Sequence, residues 1–117
     1  MIDIIRRLVA ATGPDRELDA EIAIAFGWER CGQFPSGEHY WRDPKMQFRP
    51  QPPRYTESLD ATLTLVPKIF RWMIEQHADF RFRATVGDNV TGGGCGVSNM
   101  PAIAFLIAIL RAKESGE

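Results

Sequence analysis

The end of the chain constrains the fold more than any other segment. Residues 102–110 read Ala-Ile-Ala-Phe-Leu-Ile-Ala-Ile-Leu, without a polar side chain. Ser98 or Asn99 can cap a helix there and Pro101 suits its first turn, so a helix is predicted to run to about Lys113. A helix that is apolar on every side must be covered on every side. One flank can lie on a sheet, and the other needs neighbouring helices or a second subunit.

The apolar stretch is too short to cross a membrane. It spans Met100–Leu110, eleven residues, whereas a membrane-spanning helix needs about 20. At the other end of the chain, Asp3 comes early and the basic pair Arg6-Arg7 comes late, unlike a secretory signal peptide. These features predict a soluble, cytoplasmic protein without a membrane partner, in which Cys31 and Cys95 are reduced thiols.

Composition sets outer limits on the class of protein. The 117 residues suit a single domain covering 1–117, and 44% hydrophobic with 25% charged residues is ordinary for a globular chain. Fourteen basic and fifteen acidic residues leave a formal charge of -1, which argues against a wholly basic nucleic-acid clamp. Two cysteines exclude a disulfide-rich scaffold and a four-cysteine zinc site.

Apolar periodicity and helix-breaking residues predict three further helices. The second helix carries Pro14 in its first turn and ends near Gly27, and Pro67 ends the third. The predicted bounds are residues 2–10, Pro14 to Gly27, and Thr56 or Ser58 to Val66.

Two runs of alternating apolar and polar residues predict a β-hairpin. They cover 70–75 and 80–86 and are joined by His77-Ala78-Asp79. If Gln76 pairs with Phe80, then Glu75 faces Arg81, and nearly all the large apolar side chains share one face. A third strand is predicted over Val90–Val97, where glycines 92, 93, 94 and 96 weaken the pattern.

Residues 29–54 predict a long proline-rich loop with one short strand at His39–Arg42. A loop of this length is uncommon in a compact domain and usually has a function or is mobile. Its aromatic residues, Phe34, Tyr40, Trp41 and Phe48, can anchor the loop to the core. Its basic residues lie among aromatic rings, as in proteins that hold single-stranded nucleic acid. The candidate contact residues are Tyr40, Trp41, Arg42, Lys45, Arg49 and Arg54.

Several segments of this chain resemble the phage ABA sandwich domain, a family of small proteins from bacteriophages and prophage regions. They are Ala11-Thr12-Gly13-Pro14-Asp15-Arg16-Glu17-Leu18-Asp19-Ala20-Glu21-Ile22, Tyr55-Thr56-Glu57-Ser58-Leu59-Asp60-Ala61-Thr62-Leu63-Thr64-Leu65-Val66-Pro67, Trp41-Arg42-Asp43-Pro44 and 101–112. The resemblance implies a phage or prophage origin and a helix–sheet–helix fold, but no particular activity. The chain departs from the family pattern after Pro67 and around Asn99-Met100.

The fold expected from these observations is α+β, with an antiparallel sheet of about three strands layered between α-helices as an α/β/α sandwich. One feature opposes three layers: Arg71, Arg81 and Arg83 share a sheet face, which suggests that this face is wet. Long arginine stems can lie under a helix edge with their charged ends in water, and three layers remain the expectation.

The candidate catalytic and metal-binding residues form no recognisable motif. The glycine run Gly92–Gly96 lacks the lysine of a phosphate loop, so a flexible strand-to-helix connection is expected instead. Cys95 as a nucleophile would need His39 or His77 as its base, and these three with Cys31 match no standard zinc spacing. The acids at positions 15, 17, 19 and 21 are interpreted as a solvated helix face. No catalytic residue, metal or cofactor is expected.

Three functional hypotheses follow. The first is a small, non-enzymatic phage- or prophage-derived protein that acts through protein contacts, with a homodimer through the C-terminal helix as one assembly. The alternative is a nucleic-acid-binding accessory protein that uses residues 40–55. The third is an enzyme that uses Cys95.

Overall fold

The computed structural model describes residues 2–37, 39–66, 70–77, 81–88 and 92–115, and within these ranges the fold is mixed α+β. The described ranges hold four helices and two antiparallel sheets of three strands each. The helices are α1 (Ile2–Ala10), α2 (Arg16–Ala25), α3 (Leu59–Leu63) and α4 (Pro101–Ser115). The smaller sheet holds β1 (Glu29–Gln33), β2 (His39–Arg42) and β3 (Phe48–Arg49), and the larger sheet holds β4 (Arg71–Gln76), β5 (Phe82–Asp88) and β6 (Gly92–Ser98).

Helix α4 is the centre of the core, as its sequence predicts. All of its residues from Ala102 to Leu110 are buried. One flank packs on β5 and β6, and the other packs on α1 and α3. Apolar residues from α1 and α2, among them Leu8 and Ile22, join this second flank. Other elements of the same chain therefore pack on both flanks of α4.

The glycine run belongs to strand β6 rather than to a flexible connection, so that prediction was wrong. Gly94 and Gly96 face α4, where a Cβ at either position would lie 2.2 Å from a carbonyl oxygen, of Ala108 and Ala104 respectively. Small residues on the strand and on the helix therefore let the two backbones touch. The predicted third strand is confirmed over Gly92–Ser98.

The predicted hairpin is confirmed, but its register was wrong by two residues. Ile74 pairs with Ala84 and Glu75 pairs with Arg83, not with Arg81. Five residues, 77–81, separate the two strands instead of the three predicted. The N–H of His77 donates to the carbonyl of Arg81 over 2.8 Å across this connection. Residues 78–80 of the predicted loop and strand lie outside the described part. A shift by two keeps every side chain on its predicted face.

The outer face of the larger sheet carries exposed residues, among them Arg71, Met73 and Arg83. In the described part of the chain, α4 covers the opposite face of this sheet. An α/β/α sandwich is therefore not confirmed, whereas the coarser α+β class is.

The segment 29–54 contains three short strands joined by turns. Its predicted strand, His39–Arg42, is confirmed as β2, but β1 and β3 pair with it on either side. The residues of β1, Glu-Arg-Cys-Gly-Gln, do not alternate between apolar and polar, and β3 is only two residues long. Neither strand therefore has a pattern that predicts it from sequence.

The helix boundaries agree with the sequence except at two places. Helix α2 is capped by Asp15, so Pro14 precedes the cap rather than occupying the first turn. Helix α3 is capped by Ser58, as predicted, but it ends at Leu63, before Val66. Its predicted terminator, Pro67, lies outside the described residues. No helix in the described ranges is long and apolar enough to span a bilayer.

Candidate binding surface

Three aromatic rings are in contact at the smaller sheet, and we call them the aromatic patch: Tyr40 in β2, Phe48 in β3, and Phe34, which directly follows β1. Ring centroids are 5.5 Å apart between Phe34 and Tyr40 and 5.9 Å apart between Tyr40 and Phe48. Phe34 is 43% exposed and Phe48 is 69% exposed. Contacting aromatic side chains that remain in water mark an interaction surface more often than isolated exposed residues do.

The strand pairing explains why these rings meet. Tyr40 alternates with Trp41 along β2, and Phe48 lies on Tyr40's face because it pairs with Arg42. The Tyr40 ring lies against Gly32, where a Cβ would come within 2.8 Å of it. Glycine at this position of β1 therefore leaves room for the ring.

A shallow groove of about 360 Å³ runs beside the aromatic patch. The patch lines it together with Arg49 and Pro50. The groove is thus mainly apolar, and Arg49 is the one charged residue among those that line it. Such a surface can hold an apolar side chain or a flat ring, but it presents no acid–base pair for catalysis.

The six predicted contact residues do not form one surface. Tyr40 belongs to the aromatic patch and Arg49 borders its groove. Trp41 is buried on the other face of β2, with the Arg30 guanidinium 5.3 Å from its ring centroid. The remaining three are Arg42 in β2, Lys45 in the turn before β3, and Arg54 before α3.

The sequence predicts that the aromatic residues of this segment anchor it to the core. For Phe34 and Phe48 this prediction is wrong, because both side chains are exposed. The period-2 alternation at 39–42 could have separated Tyr40 from Trp41, since neighbours in a strand face opposite ways. No pattern in the sequence indicates that β3 brings Phe48 beside Tyr40.

Most of the cations in this region have carboxylate partners. Arg42 pairs with Glu29, and Arg54 lies 3.5 Å from Glu57. The Nε of Arg49 lies 3.3 Å from Oδ2 of Asp43. The positive charge that the sequence places in this stretch is thus largely compensated locally, which weakens attraction to phosphates.

Asp43 holds the turn between β2 and β3. Its Oδ1 accepts the backbone N–H groups of Lys45 and Gln47, each over 2.9 Å. The Gln47 N–H, with Arg49 and the Lys45 N–H, holds the pKa of the Asp43 carboxyl below its ordinary value despite its burial. The carboxylate therefore stays ionised at neutral pH and fixes the position of the turn.

Of the acids at positions 15, 17, 19 and 21, Asp15 and Asp19 have structural roles, whereas Glu17 is exposed and Glu21 pairs with Arg7. Asp15 caps the helix, and Asp19 is buried. Oδ1 of Asp19 accepts the backbone N–H of Thr56 over 2.7 Å, and Oδ2 accepts from Arg16 over 2.8 Å. The hydroxyl of Thr56 in turn accepts the N–H of Asp15 over 2.9 Å. Interpreting Asp19 as solvated was therefore wrong.

The cysteines and histidines are divided between the sheets. Cys31 and His39 lie in the smaller sheet, whereas Cys95 lies in β6 and His77 directly follows β4. The Nε of Arg83 lies 3.3 Å from the Cys95 sulfur, and this thiol raises the pKa of the guanidinium. Across the described ranges, no group of three or more His, Cys, Asp and Glu residues could hold a metal ion.

Comparison of the chain with protein-family models, with curated proteins and with solved structures finds no match.

Proposed function

We propose that this is a non-enzymatic binding protein that contacts another protein through the aromatic patch. The observation that carries the proposal is a contiguous row of rings in which half-buried Tyr40 lies between exposed Phe34 and Phe48. Aromatic side chains contribute large contact areas at a small entropic cost and are enriched at protein interfaces. The partner presents apolar side chains that lose their contact with water in the groove.

The charges around the patch favour a protein over a nucleic acid. Arg42 and Arg49 are each paired with a carboxylate, of Glu29 and Asp43. A nucleic-acid site needs uncompensated cations that replace the counterions of the phosphates. An apolar peptide segment makes no such demand.

Selection from a displayed library of random dodecapeptides tests this function. We expect enrichment of peptides with aromatic or branched aliphatic residues, and we expect a synthetic enriched peptide to bind Phe48→Ser at least about tenfold more weakly. Val9→Ser is the matched control, since Val9 is an exposed apolar residue outside the patch. Failure to enrich any peptide, or equal loss of binding in both variants, would contradict the proposal.

A single-stranded nucleic acid is the second candidate, because three rings and one arginine, Arg49, border one groove. Bases stack on such rings with little sequence preference. This candidate predicts that a fluorescent deoxythymidine dodecamer binds at low salt, weakens steeply as salt rises, and is lost in Phe48→Ser. Absence of binding at low salt would exclude it.

We further propose, from the sequence resemblance, that the protein is of phage or prophage origin. Genes for phage proteins beside its own would support this, and a neighbourhood of unrelated metabolic genes would contradict it. The α/β/α sandwich implied by the same resemblance would require helices from outside the described residues on the exposed face of the larger sheet. A cytoplasmic location is proposed with it, and fluorescence microscopy of a tagged chain tests that location.

A further inference from the structure

A second concavity lies away from the aromatic patch, between the end of α2, the turn before β3 and the residues that follow α3. Its volume is about 430 Å³, within the range of about 300–1,000 Å³ that is usual for small-molecule sites. We call it the turn cleft and define it by Phe26, Trp28, Asp43, Lys45, Arg49 and Leu65.

One wall of the turn cleft is apolar and fixed in place. Phe26, Trp28 and Leu65 are partly buried against the main core, so part of each side chain remains open to the cleft. Trp28 packs against the core cluster that contains Tyr55. Tyr55 is itself fully buried. A flat apolar ligand would therefore meet a preformed surface.

A second wall carries two cations on a turn whose backbone is held in place. Lys45 and Arg49 both line the cleft, and Lys45 is exposed. Asp43 holds their turn through bonds to the Lys45 and Gln47 N–H groups, so its carboxylate oxygens are already engaged. Two cations against one carboxylate leave the cleft with a net positive charge, which suits an anionic ligand.

We propose that the turn cleft binds a small aromatic carboxylate. Its ring packs on Trp28, Phe26 and Leu65, and its carboxylate pairs with Lys45, beside the Arg49–Asp43 ion pair. Charge-assisted bonds to the carboxylate fix its orientation, and burial of the ring supplies most of the affinity. This site is distinct from the protein contact proposed for the aromatic patch, with which it shares only Arg49.

Titration of the ¹⁵N-labelled protein with 2-naphthoate, followed by two-dimensional NMR, tests the proposal. We expect saturable shifts at the Trp28 indole N–H and at the backbone amides of Lys45 and Leu65. Lys45→Gln should weaken binding about five- to tenfold, the loss expected for one charge-assisted bond. Arg54→Gln is the matched control, because Arg54 is an exposed cation of the same segment outside the cleft.

Neutral 2-naphthamide separates charge recognition from simple burial of a ring. We expect it to bind at least about fivefold more weakly than 2-naphthoate, again by the loss of a charged partner. The proposal is overturned if millimolar 2-naphthoate gives no saturable shift, or if the amide binds as well. Shifts centred on Phe34 and Phe48, or an equal effect of the two substitutions, would also overturn it.

Discussion

At the scale of single residues, Asp19 links two segments that are far apart in the sequence. Its carboxylate joins the first turns of α2 to the backbone of Thr56, and Arg16 continues the contact to the carbonyls of Pro52 and Pro53. The first two segments that resemble the phage family therefore contact each other through these bonds. Their sequence pattern has a structural explanation that does not require a shared active site.

Replacement of Asp19 by alanine should lower the free energy of unfolding by about 3 kcal/mol, because it leaves the buried Thr56 N–H without an acceptor and Arg16 without its partner. Urea denaturation measures this. Glu17→Ala is the control, since the Glu17 side chain is 88% exposed, and it should change stability by less than about 0.5 kcal/mol. Equal effects of the two substitutions would contradict the role assigned to Asp19.

Tyr55 should ionise far above the usual range of tyrosine. Burial raises its pKa to about 12, aided by the negative charge of Asp19 and opposed by the Trp28 N–H. The chain has two tyrosines, so ultraviolet titration of Tyr40→Phe follows Tyr55 alone. We expect a midpoint near pH 12, and a midpoint near 10 in a chain still folded by circular dichroism would contradict the burial.

The raised pKa of Tyr55 also determines how the free energy of unfolding changes with pH. The unfolded chain releases the Tyr55 proton near pH 10, whereas the folded chain retains it to about 12. The stabilisation from keeping Tyr55 neutral is therefore complete below pH 10 and is lost as pH rises from 10 to 12. Tyr55→Phe, which cannot ionise, should lose less stability than the native chain over that interval.

At the scale of elements, the contact between β6 and α4 depends on missing side chains. Gly94→Ala would place a Cβ 2.2 Å from the carbonyl oxygen of Ala108, so strand and helix must separate. We expect a loss of about 2 kcal/mol or more in unfolding free energy, as for other overpacked cores.

Gly13→Ala is the matched control for this prediction, because a Cβ at Gly13 would meet no atom within 4 Å. It should leave stability within about 0.5 kcal/mol of the native chain. Thermal or urea denaturation of both variants checks the difference. A Gly94→Ala chain as stable as Gly13→Ala would mean that the helix does not rest on β6.

The elements also show what sequence patterns can and cannot predict. The stretch 102–110 has no polar residue, so only a covered helix suits it, and α4 is confirmed. The β4–β5 pairing depends on the length of the connection as well as on alternation, and alternation alone left the register wrong by two. Two strands of the smaller sheet were missed, because β1 has no alternation of apolar and polar residues and β3 is only two residues long.

The candidate site was only partly predictable for the same reason. Residues 40–55 were correctly identified as aromatic and basic, but composition does not specify which side chains share a face. Strand pairing places Tyr40 and Phe48 together and buries Trp41 opposite them. The carboxylates that compensate the arginines come partly from β1, which the sequence did not predict.

At the scale of the whole molecule, stability and binding are assigned to different parts of the chain. The core around α4 joins α1, α2, α3 and the larger sheet. The smaller sheet carries its aromatic patch in water and contributes little to that core. Phe48 is exposed and lies outside that core. Phe48→Ser should therefore leave the melting temperature of the protein nearly unchanged.

Amide hydrogen exchange tests this division most directly. Amides of α4, β5 and β6 should exchange only through global unfolding, whereas those of β1, β2 and β3 should exchange through local opening at a clearly lower free energy. Protection of the smaller sheet equal to that of α4 would contradict the account, because it would make the aromatic patch part of the folding core.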